Sequence, residues 1–378
     1  MDYKLSKEQE IMKDSIRKFC EKWLEPIAVE TDANSRFPAE VFKELAAGGW
    51  LGMPIPEEYG GAGLDYLTYT MVLEEIARVS AAASLDISCH TGCALVINNF
   101  GSEQQKQLYL PAMARGEKIG AFCVTEPGAG TDVKAITSTE QWDGEAYVLN
   151  GTKTFITNGP IAGVYLVLAY TDKDQGSKGM SLFIVPEKTP GLRVGAQFEK
   201  TGLRASQTSE VIFKDCRVPA ENLIGTEGQG MKIGLIALNH GRIAIAAQSI
   251  GIAQAALEES IIYAKERIQF GRPLAGQPAI QRMLAEMATD IAAARHLAYH
   301  AAVLKDNGKP FVQEASMAKL FASTMANRHV FKAVQIHGGT GYIKGIKVER
   351  LSRDARVTEI YEGTTEAQHM IIAGNLLA

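Results

Sequence analysis

The 378-residue chain predicts an α+β multidomain protein. It has a helical N-terminal domain (1–118), a β-sandwich or barrel middle domain (119–222) and a C-terminal four-helix bundle (223–378). Three observations predict this. Apolar residues recur with the 3.6-residue period of amphipathic helices in both outer parts. Between them, short β-branched and aromatic runs are bounded by turn residues. Helical and strand segments are also segregated along the chain, which argues against an alternating parallel sheet; no GxGxxG follows a strand.

The stretch "MDYKLSKEQE" reads as helical from the outset. Ser6 and Gln9 have capping-box spacing, with Leu5 placed as the hydrophobic staple. Ile11, Met12, Ile16, Phe19, Cys20, Trp23 and Leu24 form the apolar stripe, and Pro26 limits it. Helical periods follow over 39–48, 66–78 and 84–99. From Ile119 the texture changes to "IGAFCVTE", "AYVLNGTKTFIT", "VYLVLAY", "MSLFIVPE" and "SEVIFKDCRV", a spacing that favours antiparallel strands. The helical period returns near Gly228. It breaks at "RIQFGRPLAGQPA", "DNGKP" and "HGGTGYIKG", leaving four long helices with short connections.

Composition narrows the function. The chain is 46% hydrophobic and 22% charged, as globular proteins are, and its net charge of −4 gives no electrostatic case for nucleic acid or acidic membranes. Five irregularly spaced cysteines read as reduced thiols of a cytoplasmic protein. Cys89 and Cys93 lack a second Cys/His pair, so no metal is expected. The N-terminus lacks signal-peptide character, and the most apolar stretch (233–257) is interrupted by Asn239, His240 and Arg242.

Several motifs could carry chemistry. In "CVTEPGAGTD" (123–132), glycines permit close backbone approach to a flavin edge or a phosphate, or simply turn the chain. In "TKTFITNG" (152–159), Phe155 and Thr157 fall on one face of a strand, suiting a ring system or an ordinary core. "ERIQFGRPL" (266–274) ends a helix at Gly271 and places Arg267 and Phe270 three apart on one helical face, suiting a pyrophosphate and an adenine or a salt bridge with a core Phe. The glycines of "VQIHGGTGY" (334–342) follow a helix. Arg242, in an apolar helix, needs either a carboxylate or a phosphorylated substrate. In "IYEGTTE" (360–366), Glu362 caps the next helix or acts as a base toward a bound molecule.

Together these stretches, with "PEEYGG" (56–61), "GLRASQTSEVIFKDCRVPAENLIG" (202–225) and "RDARVTEIYEGTTE" (353–366), resemble the acyl-CoA dehydrogenase family nearly end to end, in a flavour similar to its bacterial short-chain, butyryl-CoA branch. The resemblance implies FAD at a dimer interface within a homotetramer built as a dimer of dimers. It implies that Phe122, Val124, Thr125, Gly130, Thr131, Phe155 and Thr157 hold the flavin ring. Arg267, Phe270, Gln277, Gln335 and Gly339 would meet the pyrophosphate and adenosine half, while Thr364 and Glu366 close the cofactor site. Thr131, Asn239, Arg242 and Gly363 would contact substrate, and Glu362 corresponds to the catalytic base. The implied reaction is α,β-desaturation of a short-chain acyl-CoA, with electrons passed to an electron-transfer flavoprotein. The same site run in reverse is an enoyl-CoA or arylacryloyl-CoA reductase.

The sequence departs from the family pattern at Asn239, where an acid is usual, at Pro278, where many members have Gln, and at Phe155, a Trp in some branches. Asp86 and His90 stand on a helix that lines the acyl pocket in the family, so a pocket for a polar, cyclic or aryl acyl group is one expectation and a position facing another helix or solvent the other. A non-catalytic family member would be colourless on purification. An oxidase would usually extend further beyond the base loop.

Overall fold

A computed structural model describes residues 5–377; the expectation of helix from the first residue lies partly outside them. Six helices come first: α1 (Lys7–Phe19), α2 (Ala28–Ala33), α3 (Ala39–Ala47), α4 (Tyr66–Val79), α5 (Ala81–Phe100) and α6 (Glu103–Ala114). The capping box that opens α1 is formed: Ser6 Oγ accepts from the Gln9 amide at 3.2 Å and Gln9 Oε1 from the Ser6 amide at 3.0 Å. Ser102 and Gln105 repeat it at α6. Two capping boxes satisfy amides that a helix start otherwise leaves unpaired.

The middle of the chain forms β1 (Ile119–Cys123), β2 (Thr139–Trp142), β3 (Ala146–Thr157), β4 (Ala162–Tyr170), β5 (Met180–Pro186), β6 (Leu192–Gln197), β7 (Thr208–Pro219) and β8 (Leu223–Ile224). One sheet runs in the order β6-β7-β3-β2-β4-β5-β8, with β1 against β4. It folds over at the short β2. Leu149, Val211 and Phe213 from one half meet Cys123, Tyr165, Val167 and Phe183 from the other in a single apolar cluster. The opposite face of β4 and β5 (Leu166, Leu168, Leu182, Ile184) packs on Ile97, Leu110 and Met113 of α5 and α6. Burial on both faces explains why β4 reads as a continuous apolar run.

The antiparallel expectation needs correction at β4, with which both β1 and, through Thr139 and Tyr170, β2 pair in parallel. β1 enters from the helical domain, and the chain passes through β2 and β3 before β4, a connection long enough for parallel pairing.

Five helices complete the fold: α7 (Gly230–Glu266), α8 (Pro278–Asp306), α9 (Val312–His337), α10 (Lys347–Ala355) and α11 (Thr365–Leu377). A two-stranded hairpin, β9 (Ile268–Gln269) with β10 (Arg272–Pro273), joins α7 to α8. The 37 residues of α7 span about 55 Å. Ile250, Ile252, Met287, Ile291, Met325 and Val330 of the bundle share one core with Met71 and Leu85 of α4 and α5. Charge ties the same layers together: Arg295 Nη2 of α8 lies 2.7 Å from Glu74 of α4, and the Tyr299 hydroxyl donates to Glu74 at 3.1 Å. Glu74 is buried, and such a carboxylate requires partners. The helical layers therefore form a rigid wall behind the loop that follows α10.

Candidate active site

That loop carries Glu362 and Gly363 at φ +53° and +90°. A non-glycine residue in the left-handed region costs on the order of 1–3 kcal/mol and persists only where its surroundings hold it. Here they do. Lys319 Nζ of α9 donates to the Gly363 carbonyl at 2.7 Å. Gln368 Nε2, in the first turn of α11, reaches the Gly363 and Glu362 carbonyls at 2.9 and 3.3 Å. Thr364 Oγ1 accepts from the Ala367 amide at 3.3 Å and so caps α11.

The half-buried Glu362 side chain turns back against α7. A Cβ placed on Gly241 would stand 2.4 Å from Glu362 Oε2, so the carboxylate uses space that only glycine leaves. Glu362 also lines a narrow cavity of about 40 Å³ with Ser88, Cys89 and Gly92 of α5, Phe122 of β1, and Ala237, Leu238 and Ile245 of α7. Burial raises its pKa above the ordinary glutamate value, opposed by Arg242 and Lys319. Burial in turn lowers Lys319 to about 8, against the attraction of Glu362 and Glu359. Arg242 has no carboxylate within ion-pair distance among the described residues. It donates to Asn239 Oδ1 and lies 3.5 Å from Ser316 Oγ, and its buried Nε is unpartnered.

Across the cavity, Phe122 and the half-buried Val124 and Thr125 continue from β1. The "TEPGAGTD" loop hangs from a buried ion pair: Lys153 Nζ lies 2.8 Å from Glu126 Oε1 and donates to the Val124 carbonyl at 3.1 Å. Glu126 accepts further hydrogen bonds from the Thr137 amide and hydroxyl and the Ser138 amide. Burial pushes its pKa up, but Lys153 and these donors outweigh burial and hold it at about 2. Thr154 N–H fixes the Thr125 carbonyl at 2.8 Å. Beyond this anchor Gly130 and Thr131 are exposed, and a Cβ on Gly130 would meet no atom within 4 Å.

The strand expected to present Phe155 and Thr157 is bulged. Between Lys153 and Ile156 it carries one residue more than β7 opposite, and Phe155 sits at φ +57°. Phe155 and Thr157 still share the more open side, with Thr154 and Ile156 buried. Phe155 is 64% exposed and meets the Phe198 ring at 4.9 Å.

The other cofactor candidates lie elsewhere. Arg267 follows Gly241 by 26 residues, about 39 Å of helix. Its expected placement with Phe270 on one helical face is wrong, because α7 ends at Glu266. Phe270 and Gly271, at φ +53° and +76°, form the two-residue turn between β9 and β10, and positive φ at both central residues is what such a turn requires. Phe270 is left 96% exposed at the tip. Gln277 stands just before α8, and its Oε1 accepts from Arg272 at 3.0 Å rather than from the helix. His337 stacks on Tyr263 near the end of α7, which brings the exposed Gln335 and Gly339 to this same end. Arg267, Phe270, Gln277, Gln335 and Gly339 thus group together, far from Glu362 in the same chain.

Asp86 and His90 do not line the cavity. On α5, Ser88 and Gly92 point one way and residues 86 and 90 nearly the opposite way. Both are fully buried. Asp86 accepts from the Ser206 hydroxyl, and His90 Nδ1 accepts from the Gly120 amide at 3.1 Å. Burial raises Asp86 to about 8 and lowers His90 to about 4. Asp86 ties α5 to the loop before β7, and His90 ties it to β1.

Lys319, Gln368, Gly241, Lys153 and the cavity-lining Ser88 and Gly92 are not among the residues expected from the sequence, and Cys89 is expected only as a free thiol. A lysine in the apolar pattern around "SMAKLFAS" is the one readable signal; the rest depend on how the helices and β3 pack.

A partly buried carboxylate on a braced loop, with an aromatic strand residue on the same narrow cavity, is an arrangement able to exchange a proton with a molecule held there. The chain belongs to the acyl-CoA dehydrogenase family: its N-terminal, middle and C-terminal domain models match residues 6–117, 121–216 and 228–377. It is 46% identical over 377 residues to the short-chain specific acyl-CoA dehydrogenase of Clostridium acetobutylicum, covering 100% of both chains. It is also 46% identical to the acryloyl-CoA reductase (NADH) of Anaerotignum propionicum, covering 100% of this chain and 96% of the other. A chain in the structure of the electron transferring flavoprotein of Acidaminococcus fermentans superposes with a TM-score of 0.98 at 46% identity, each chain fully covered.

Proposed function

We propose that the protein desaturates a short-chain acyl-CoA between Cα and Cβ, with Glu362 as the base and FAD as the cofactor, and exchanges electrons with an electron-transfer flavoprotein. The observation that carries this is the Glu362 carboxylate, held against Gly241 and opening on the cavity that Phe122 also lines.

The residues suit FAD. Phe122, Val124, Thr125, Gly130, Thr131, Phe155 and Thr157 would border the ring, on a loop with open space at its glycines and a fixed anchor at Glu126–Lys153. Thr364 and Glu366, which follow Glu362 into the start of α11, would close the site. Arg267, Phe270, Gln277, Gln335 and Gly339 cannot serve the same cofactor from within one chain, at about 39 Å along α7. They would serve a neighbouring subunit, which supports a dimer within a tetramer. Bound FAD would accept the Cβ hydrogen as hydride.

The chain's own contributions follow from its geometry. Glu362 takes the Cα proton, and the proton affinity that burial raises makes it a stronger base than an exposed glutamate. Thr131, Asn239, Arg242 and Gly363 would border the acyl-CoA. Ser88, Cys89, Leu238 and Ile245 would bound the space for the acyl chain. A second reading, an enoyl-CoA reductase with Glu362 donating the proton, is favoured by the similarity to an acryloyl-CoA reductase.

Flavin absorbance followed against a panel of acyl-CoAs, with and without an electron-transfer flavoprotein, tests both. Bleaching by C4 thioesters supports the first reading. Turnover of an enoyl-CoA only with reduced partner supports the second. A colourless protein that fails to bind FAD contradicts both.

A further inference from the structure

Lys319 has no established reason to be a lysine. It is fully buried on α9, makes no ion pair among the described residues, and spends its hydrogen bond on a neutral carbonyl, Gly363, that Gln368 also serves. A neutral donor would brace that carbonyl without the desolvation that a buried ammonium incurs. The charge itself must therefore be compensated, and the acidic groups that attract it are Glu362, Glu359 and Glu366, with Glu362 first among them.

The groups facing Glu362 are few. α7 contributes Arg242, α9 contributes Lys319, α4 contributes Tyr66, and α5 contributes Cys89 and Cys93, with Tyr361 on the loop itself. Only Arg242 and Lys319 are cations, and Arg242 already donates to Asn239.

We propose that Lys319 is a positioning residue with two effects on Glu362: its hydrogen bond to Gly363, shared with Gln368, fixes the left-handed loop, and its buried charge beside that loop favours the carboxylate form of Glu362. Gln368 supplies the first effect alone. This rests on Glu362 being the base.

The pH dependence of kcat/KM for the FAD-loaded enzyme with butyryl-CoA separates the effects. Removing a nearby cation raises a carboxylate's pKa, so Lys319→Met moves the acidic limb upward by about one pH unit. Gln368→Leu lowers kcat and leaves the limb in place. Lys319→Arg keeps the charge and is expected to hold the limb while lowering kcat, which decides the matter if Lys319→Met does not fold. An unmoved limb in Lys319→Met, or a limb that rises in Lys319→Arg, overturns the proposal. Glu362→Gln is the control for the underlying reading: if it keeps turnover, the base assignment is wrong whatever Lys319 does.

Discussion

Gly241 and Glu362 occupy one space: a Cβ on residue 241 would stand 2.4 Å from Glu362 Oε2. The atom in the way is the end of a flexible side chain, so alanine displaces the carboxylate and leaves the helix intact. Replacing a mid-helix glycine with alanine stabilises by about 0.5–1 kcal/mol. Gly241→Ala is therefore expected to melt no lower than wild type while kcat falls by about 10²-fold, the scale of a misplaced catalytic group. Thermal melting beside steady-state turnover checks it; parallel loss of both, or loss of neither, contradicts it.

The Glu126–Lys153 pair holds the loop proposed to meet the flavin. Lys153→Met leaves a buried carboxylate uncompensated, a loss of about 3–5 kcal/mol. The protein is expected to purify with markedly less flavin per subunit, and added FAD to restore only part of it. Absorbance ratios and denaturant melts measure both. Full flavin content at wild-type stability is the contrary result.

Gly92 lines the cavity, and a Cβ there would meet no atom within 4 Å. Gly92→Val fills that opening from the side of α5. Turnover of butyryl-CoA is expected to fall by roughly tenfold or more relative to propionyl-CoA, since about a methylene's worth of misfit discriminates on this scale. An unchanged ratio would show that the acyl chain lies elsewhere.

Asp86, buried with Ser206, holds its proton up to about pH 8, against an ordinary value of 3.8. Its folded pKa is raised, so the native state binds a proton that the unfolded state has lost. The contribution to stability is complete below the unfolded value and disappears as pH rises through about 8, with a slope of about 1.4 kcal/mol per pH unit between them. Asp86→Asn has no such slope. Denaturant melts of both proteins at pH 5 and 7.5 should show wild type losing ground to the variant as pH rises; parallel curves are the contrary result. The acyl preference of Asp86→Asn should match wild type, because Ser88 and Gly92, not Asp86, face the cavity.

The three-part architecture was legible because hydrophobic period changes twice along the chain, and each capping or turn signal is local. What sequence could not give was direction in space. Asp86 and Ser88 are two residues apart, and only the packing of α5 decides which one faces the cavity. Phe270 and Arg267 read as helical neighbours because a helix precedes them; the positive-φ pair at Phe270–Gly271 that makes a hairpin is a tertiary choice. At Glu362 a carboxylate on a glycine loop leaves a helix cap and a base equally open, and only the family resemblance points to the base. Lys319 and Gly241, which hold and admit it, come from helices 43 and 121 residues upstream.

The central claim is that Glu362 removes the Cα proton while FAD is reduced. Anaerobic stopped-flow of the FAD-loaded Glu362→Gln variant with butyryl-CoA tests it most directly. The flavin should stay oxidised, or bleach about 10²–10⁴-fold more slowly than in wild type, the range of a lost general base. Bleaching at the wild-type rate would contradict the account.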